Sequence, residues 1–243
     1  MITSNRRATW HKARVVKKSV ETDNASRIEL DVPTWPGNDA GSHLDLRLTA
    51  ADGYQATRSY SLASSGINNQ ITLAVDKVSG GEVSPFLADV LGINDEVEGL
   101  GPLGHFFVWH PDESEAFPLQ LIGAGSGVVP LYSIAAARDK TGAGKPVQLL
   151  YSVRGPQYTF FREELRNLEQ IPIEMIYTRE SPSDAARPAG RLDRSTLAQL
   201  TLPASISPRV FVCGPTSFVE NVAQWLLELG HKSENVRTER FGG

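Results

Sequence analysis

Gly123, Gly125 and Gly127 stand at alternate positions, with Ser126 among them, between an apolar run, Leu119–Ile122, and an apolar helical segment, Val128–Ala137. A strand, a glycine turn and a helix in this order aim free backbone N–H groups and a helix N-terminus at an anion. Glycine leaves room for the tight turn and for a close-lying pyrophosphate. The spacing is G-x-G-x-G and not the dinucleotide fingerprint G-x-G-x-x-G, so a tight turn with no ligand stays open as the alternative. A second such arrangement follows Val75. There a Gly80-Gly81 turn leads through Val83 to a helix start at Ser84-Pro85, which again offers N–H groups to a phosphate. A third stretch, Arg58-Ser59-Tyr60-Ser61, puts a guanidinium fork, a ring and hydroxyls on one segment, and the fork suits an anion.

Two further groups belong with these. Cys213-Gly214-Pro215 closes an apolar run, Val210–Cys213, and open α/β sheets bind ligands at the carboxyl ends of their strands. A lone cysteine is otherwise a small hydrophobe. After the run Val147–Val153, the position where an acid would accept from a ribose 2′-hydroxyl holds Tyr151-Ser-Val-Arg154, with no acid before Glu163. Ser152, Arg154 and Arg179 could instead meet a 2′-phosphate, which favours NADPH over NADH; a solvated Arg154 is the alternative.

The elements that must position these residues differ between the two halves. Before Leu119, Arg27–Val32, Leu44–Leu48 and Ile71–Val75 alternate with period two, and Arg58, Tyr60 and Leu62 share one face while Ser59 and Ser61 share the other. Turn signals separate them, so a small antiparallel barrel is expected, with one short helix at Ser84–Val90. After Leu119, strand-like runs at 119–122, 147–153, 173–177, 210–213 and 236–238 alternate with helical ones at 128–138, 160–168, 195–200 and 217–229. That pattern predicts a parallel sheet covered by helices. The last helix carries a stripe of Phe218, Val222, Trp225, Leu226 and Leu229, a capping box Ser217-x-x-Glu220, and Gly230 at its stop. Two domains, 1–112 and 113–243, are expected.

Composition excludes several classes. The 243 residues are 40% hydrophobic and carry a formal net charge of -4, which argues against nucleic acid. No apolar run reaches the roughly 18 residues of a membrane-spanning helix, and no export signal opens the chain, so a cytoplasmic protein is expected. One cysteine, Cys213, cannot build a four-thiolate cluster within these residues, and five histidines form no metal-binding pair. A basic segment, Arg6, Arg7, Lys12, Arg14, Lys17 and Lys18, precedes the first acid, Glu21; it reads as a solvated strand face or as a docking face for an acidic carrier protein.

R-x-Y-S, then G-G-x-V-S, then G-x-G-x-G-x-x-P, then Cys-Gly-Pro, over about Ala13 to Phe241, resembles the ferredoxin–NADP reductase superfamily of flavin oxidoreductases. The resemblance implies a flavin-binding barrel followed by an NAD(P)H-binding domain, with hydride transfer between them. It assigns Arg58 to the flavin phosphate, Tyr60 to the isoalloxazine or ribityl chain and Ser61 to flavin N5. Gly81, Val83 and Ser84 would hold the pyrophosphate, with Ser59, Val75 and Gly80 in the same stretches. On the coenzyme side it implies Gly123, Gly125, Gly127, Gly214 and Pro215, with Ser126 near the carboxamide and Cys213 near the nicotinamide C4. Phe241 would cover the flavin ring and Glu239 would handle protons near it. FAD is the implied cofactor, with FMN as the alternative, and the implied electron acceptor is a separate ferredoxin-like protein or oxygenase component. A monomer is expected. A reductase that releases its flavin, and a non-catalytic nucleotide-binding module on the same fold, remain the other readings.

Overall fold

In the computed structural model, residues 8–142 and 144–241 are described, and the chain divides into two compact units, residues 1–108 and 109–243. The first unit is built from the alternating segments. Its strands are β1 (Thr9–Thr22), β2 (Ala25–Asp31), β3 (His43–Thr49), β4 (Gln55–Ser61), β5 (Gln70–Asp76) and β6 (Glu96–Leu103), in the order β4-β3-β6-β1-β2-β5. All pairings are antiparallel. Just past β4, Leu62 bridges to Leu73 of β5, and the Ala63 N–H donates to the Thr72 carbonyl at 2.8 Å. The two ends of the sheet are joined there, which closes a barrel and removes its edges.

One face of each strand fills the interior. Ile28, Leu30, Leu44, Leu46, Ile71, Leu73 and Val75 are buried together, with Tyr60 packed against them. Each buried aliphatic contributes roughly 1.5–3 kcal/mol, so strand order and register are held by the core. The expected short helix is a helical turn α1 (Val83–Pro85) that runs into a π-helical turn, Phe86–Val90, whose Leu87 caps the same core.

The second unit is a five-stranded parallel sheet of order β11-β10-β7-β8-β9. The strands are β7 (Leu119–Ala124), β8 (Val147–Val153), β9 (Ile173–Tyr177), β10 (Arg209–Pro215) and β11 (Val236–Phe241), and the helices are α2 (Val128–Asp139), α3 (Arg162–Arg166), α4 (Arg194–Leu200) and α5 (Thr216–Glu228). Every residue of β7 is buried, as a central strand covered on both faces requires.

Three details differ from the sequence expectation. The third helix starts at Arg162, because Phe161 takes a left-handed φ of 52° and stacks on Tyr132 at 4.2 Å. The capping box at Ser217 does not form: α5 begins at Thr216 with Pro215 as its cap residue and no side-chain cap bond. Its buried stripe is Val219, Val222 and Leu226, with Phe218, Trp225 and Leu229 at the margins. The last strand continues to Phe241, which pairs with Pro215 and is half-buried.

Candidate functional site

The first cluster lies on β4 and the turn after β5. Opposite β4, His43, Asp45 and Arg47 of β3 share a face with Ser61, Ser59 and Thr57, while Leu44 and Leu46 share the core face with Tyr60 and Arg58. Register thus splits the R-x-Y-S residues as period two requires. Arg58 is exposed, with one guanidinium nitrogen donating to the Thr57 carbonyl at 2.7 Å. Tyr60 is half-buried; burial pushes its phenol up to about 12 against the opposing effect of Arg58, so it stays a neutral ring. Ser59 donates to Asp45 at 2.5 Å.

Ser61 is 6% exposed, and its hydroxyl has no hydrogen-bond partner among the described residues. Such a group costs about 1–3 kcal/mol, and native structures leave few of them. An acceptor from outside the chain relieves that cost.

The turn after β5 holds Gly80, Gly81, Val83 and Ser84. Gly80 has φ +74° and open space where a Cβ would stand. The Gly81 N–H, assigned to a pyrophosphate, closes the turn onto the Val78 carbonyl at 3.0 Å. The helix start at Val83 and Ser84 leaves backbone N–H groups without i−4 carbonyls within the helix. The Ser84 hydroxyl accepts from the Val78 N–H at 3.1 Å, and its own proton remains a donor. Val75 and Val83 are core side chains, buried in the barrel, so only their backbone can serve a ligand.

The second cluster forms at the carboxyl ends of β7, β8, β9 and β10. Gly125 takes φ +55° with nothing within 4 Å of a Cβ position, so the loop leaves space above it. Gly127 is required for a different reason: a Cβ there would stand 2.5 Å from the Cys213 carbonyl oxygen. The glycine loop is thus packed onto Cys213-Gly214, and Gly123 pairs with Cys213 across β7 and β10. Ser126, half-buried, sits in the turn between these glycines.

Ser152 is buried near the end of β8, and Arg154 follows as an exposed residue whose carbonyl accepts the N–H groups of Arg179 and Glu180 at 3.0 and 3.1 Å. The two predicted arginines therefore meet at one sheet edge. The structure adds Glu180, whose carboxylate takes a bond from Gln157 at 3.2 Å. An acid stands beside the predicted 2′-phosphate site although β8 itself supplies none; Thr178-Arg179-Glu180 after β9 was the signal for it.

Cys213 and Glu239 lie side by side as register partners on β10 and β11. Burial, and then the Glu239 charge, push the Cys213 thiol well up. Burial lifts the Glu239 carboxyl to about 7. Ser61, the third candidate for chemistry, belongs to the first unit, where its cross-strand partner is His43. His43 escaped the sequence reading because pairing between β3 and β4 is not written in local periodicity.

Three basic residues of the first strand have partners. Arg14 faces Glu96 at 3.8 Å, Lys17 bonds Glu29 at 2.9 Å, and Lys18 donates to the Leu91 carbonyl at 2.7 Å. Arg6 and Arg7 lie outside the described residues. Among the described residues no helix is long and apolar enough to cross a membrane, and no group of three metal-ligating side chains gathers.

A ligand with a ring acceptor, two phosphates and a second nucleotide suits these surfaces: the partnerless Ser61 hydroxyl, the exposed Arg58 fork and the spaces above Gly80 and Gly125 fit FAD and a nicotinamide coenzyme. Residues 12–108 match the family model of an oxidoreductase FAD-binding domain, and residues 121–224 that of an oxidoreductase NAD-binding domain. The chain is 29% identical to the glycine betaine monooxygenase reductase of Chromohalobacter salexigens, covering 96% of this chain and 66% of that one. It is 32% identical to the ferredoxin reductase component of 3-ketosteroid-9-alpha-monooxygenase of Rhodococcus rhodochrous, covering 83% and 55%. The flavohem-like FAD/NAD binding domain of nitric oxide dioxygenase from Vibrio cholerae superposes with a TM-score of 0.84 at 25% identity, over 96% of this chain and 99% of that domain. The chain spans 52% to 68% of the length of the curated relatives it matches. With a barrel that matches the flavin module followed by a parallel sheet that matches the nicotinamide module, the chain belongs to the ferredoxin–NADP reductase superfamily of NAD(P)H-dependent flavoprotein reductases.

Proposed function

We propose that this chain takes a hydride from NAD(P)H onto FAD held by its barrel and passes the electrons singly to an acceptor outside its 243 residues, a ferredoxin-like protein or an oxygenase component. The observation that carries this reading is the buried, partnerless hydroxyl of Ser61 at the end of the R-x-Y-S strand. Bound FAD supplies a two-electron hydride acceptor that releases electrons one at a time.

The rest is done by the protein. Arg58 and the helix start at Val83-Ser84 hold the flavin phosphates, and Tyr60 flanks the flavin as a neutral ring. Ser61 donates to N5, the atom that takes the hydride, and so orients that atom toward the coenzyme. On the second unit, Gly125 and Ser126 receive the nicotinamide coenzyme, and Cys213 stands at the strand end beneath it as a buried, protonated thiol. Glu239, adjacent to Cys213, holds or gives up a proton near neutral pH, and Phe241 ends the same strand as a half-buried ring. Arg154 and Arg179 favour NADPH, against Glu180 on the same edge.

The single cysteine places any iron–sulfur carrier elsewhere than in these residues, and two of the relatives named above are reductase components of monooxygenases. With Arg14, Lys17 and Lys18 already paired, docking to that carrier rests on more than the first strand's charge.

The test is anaerobic stopped-flow. Purified protein loaded with FAD should bleach in its visible flavin band on mixing with NADPH or NADH and recover with a one-electron acceptor such as ferricyanide. Protein that binds no FAD, or that binds it and is not bleached, refutes the proposal.

A further inference from the structure

We propose that Tyr54 holds the adenine of FAD by stacking and thereby sets a preference of this chain for FAD over FMN. This rests on the reading of the barrel as the FAD module and extends it to a ring outside the sequence motifs.

The placement comes from the hairpin that joins β3 to β4. Register there pairs Leu44 with Tyr60, Leu46 with Arg58, Leu48 with Ala56 and Thr49 with Gln55. The Ala50 N–H donates to the Tyr54 carbonyl at 2.8 Å, which carries that register one pair further. Side chains alternate along a strand, so Tyr54, Ala56, Arg58 and Tyr60 follow one another on one face. From Tyr60 back to Tyr54, that face presents a ring, a cation, a small residue and a second ring. FAD presents its isoalloxazine, its two phosphates, a ribose and its adenine in the same order. At about 3.3 Å per residue, Arg58 stands about 7 Å from Tyr60 and about 13 Å from Tyr54 along the strand. Between Arg58 and Tyr54 only the methyl group of Ala56 projects on that face.

Tyr54 is held in place and yet open. The hairpin tip is closed by the Gly53 N–H on the Ala50 carbonyl at 2.9 Å and by the Tyr54 N–H on the Asp52 carboxylate at 3.0 Å. The phenol donates to Glu82 at 3.2 Å, which ties the hairpin to the turn that carries Gly80 and Gly81. The ring is nevertheless 57% exposed. Gly53 beside it and Gly80 in the tethered turn have nothing within 4 Å of a Cβ position. A ring fixed in this way loses little freedom when a base stacks on it.

The charges assign the parts of the ligand. Asp52 and Glu82 flank Tyr54 and repel a phosphate, while carboxylates accept from ribose hydroxyls. The guanidinium on this face belongs to Arg58, so the pyrophosphate rests there and the uncharged nucleoside rests at Tyr54.

Flavin titrations of the FAD-free chain, followed by fluorescence, test this. The unaltered protein should bind FAD more tightly than FMN. Tyr54→Ala should weaken FAD about tenfold or more, the worth of one base–aromatic stack, and leave FMN unchanged. Tyr54→Phe and Tyr54→Trp keep a ring and should keep the preference. In NMR spectra of the FAD complex, the adenine C–H protons should show NOEs to the Tyr54 ring. Equal affinities of the unaltered protein for FAD and FMN overturn the proposal. So do equal losses for both flavins in Tyr54→Ala, unchanged FAD affinity in that variant, or a complex without those NOEs. Protein that binds no FAD overturns both this and the function it rests on. Protein that binds FAD and is bleached by NADPH, with Tyr54→Ala as tight for FAD as the unaltered chain, removes this proposal alone.

Discussion

Cys213 and Glu239 are register partners on adjacent parallel strands, the thiol fully buried and the carboxyl partly so. Parallel partners point to the same side of a sheet, so the thiol titrates in the field of the carboxylate. Burial lifts the carboxyl from 4.5 to about 7, and the same burial, with the Glu239 charge added, lifts the thiol. The folded state therefore binds the Glu239 proton more tightly than the unfolded chain does. The resulting stabilisation is complete below pH 4.5 and is lost as pH rises through about 7, with an upper bound of roughly 3 kcal/mol. Glu239→Gln should flatten that decline. Urea midpoints taken across the range from mildly acid to mildly alkaline pH check it, and an unchanged slope in the variant would show that Glu239 does not titrate in this window.

Ser61→Ala separates stability from redox chemistry. The hydroxyl has no partner among the described residues, so its loss should leave the FAD-free protein as stable as before or slightly more so. In the loaded protein a bond to a site of developing charge disappears, which is worth roughly 1.5–3 kcal/mol, or one to two decades in the rate of flavin reduction. Thermal midpoints of the FAD-free forms and stopped-flow bleaching report the two effects independently.

Two glycines in one loop should fail differently. At Gly127 an added Cβ meets the Cys213 carbonyl at 2.5 Å, a contact with backbone that neither strand can relax cheaply. Gly127→Ala should cost about 1–3 kcal/mol of stability. At Gly125 the left-handed conformation costs about 1–2 kcal/mol for alanine, but the space above is open. Enlarging residue 125 further, to leucine, should add little loss of stability while it removes coenzyme binding. Melting curves set beside KM for NAD(P)H distinguish the two positions.

Coenzyme preference should follow the charges at one sheet edge. Arg154→Ala and Arg179→Ala should each lower kcat/KM for NADPH more than for NADH, by about 10-fold or more where a charge-assisted bond to phosphate is lost. Glu180→Gln should move the ratio the opposite way by relieving repulsion of the 2′-phosphate. Steady-state assays with both coenzymes decide it; equal losses for the two would show that neither arginine reads that phosphate.

Both architectures were legible in the sequence because each rests on a local period. Alternation at two residues marked Ile28-Leu30-Val32, Leu44-Leu46-Leu48 and Ile71-Leu73-Val75 as one-sided strands, and apolar strands alternating with helical runs after Leu119 implied a parallel sheet. The motif residues were legible for the same reason: a guanidinium, a ring and hydroxyls within four residues, or three glycines in five, are statements about one short stretch of chain.

The sequence by itself thus determined the two kinds of sheet, the barrel strands near 27–32, 44–48, 58–64 and 71–75, and the five strand runs after Leu119. What only the tertiary structure decided was who stands beside whom. That His43 partners Ser61, that Glu239 partners Cys213, and that Glu180 shares an edge with Arg154 follow from strand order and register, which side chains far apart in the chain set jointly through the packed core. The same holds for the glycines. Their spacing is visible locally, but Gly127 is required by the backbone of Cys213, and that contact exists only once β10 lies beside β7. The failed capping box at Ser217 has the same origin: α5 starts where β10 delivers Pro215, and the chain entering from the sheet overrides a local preference worth about 1 kcal/mol.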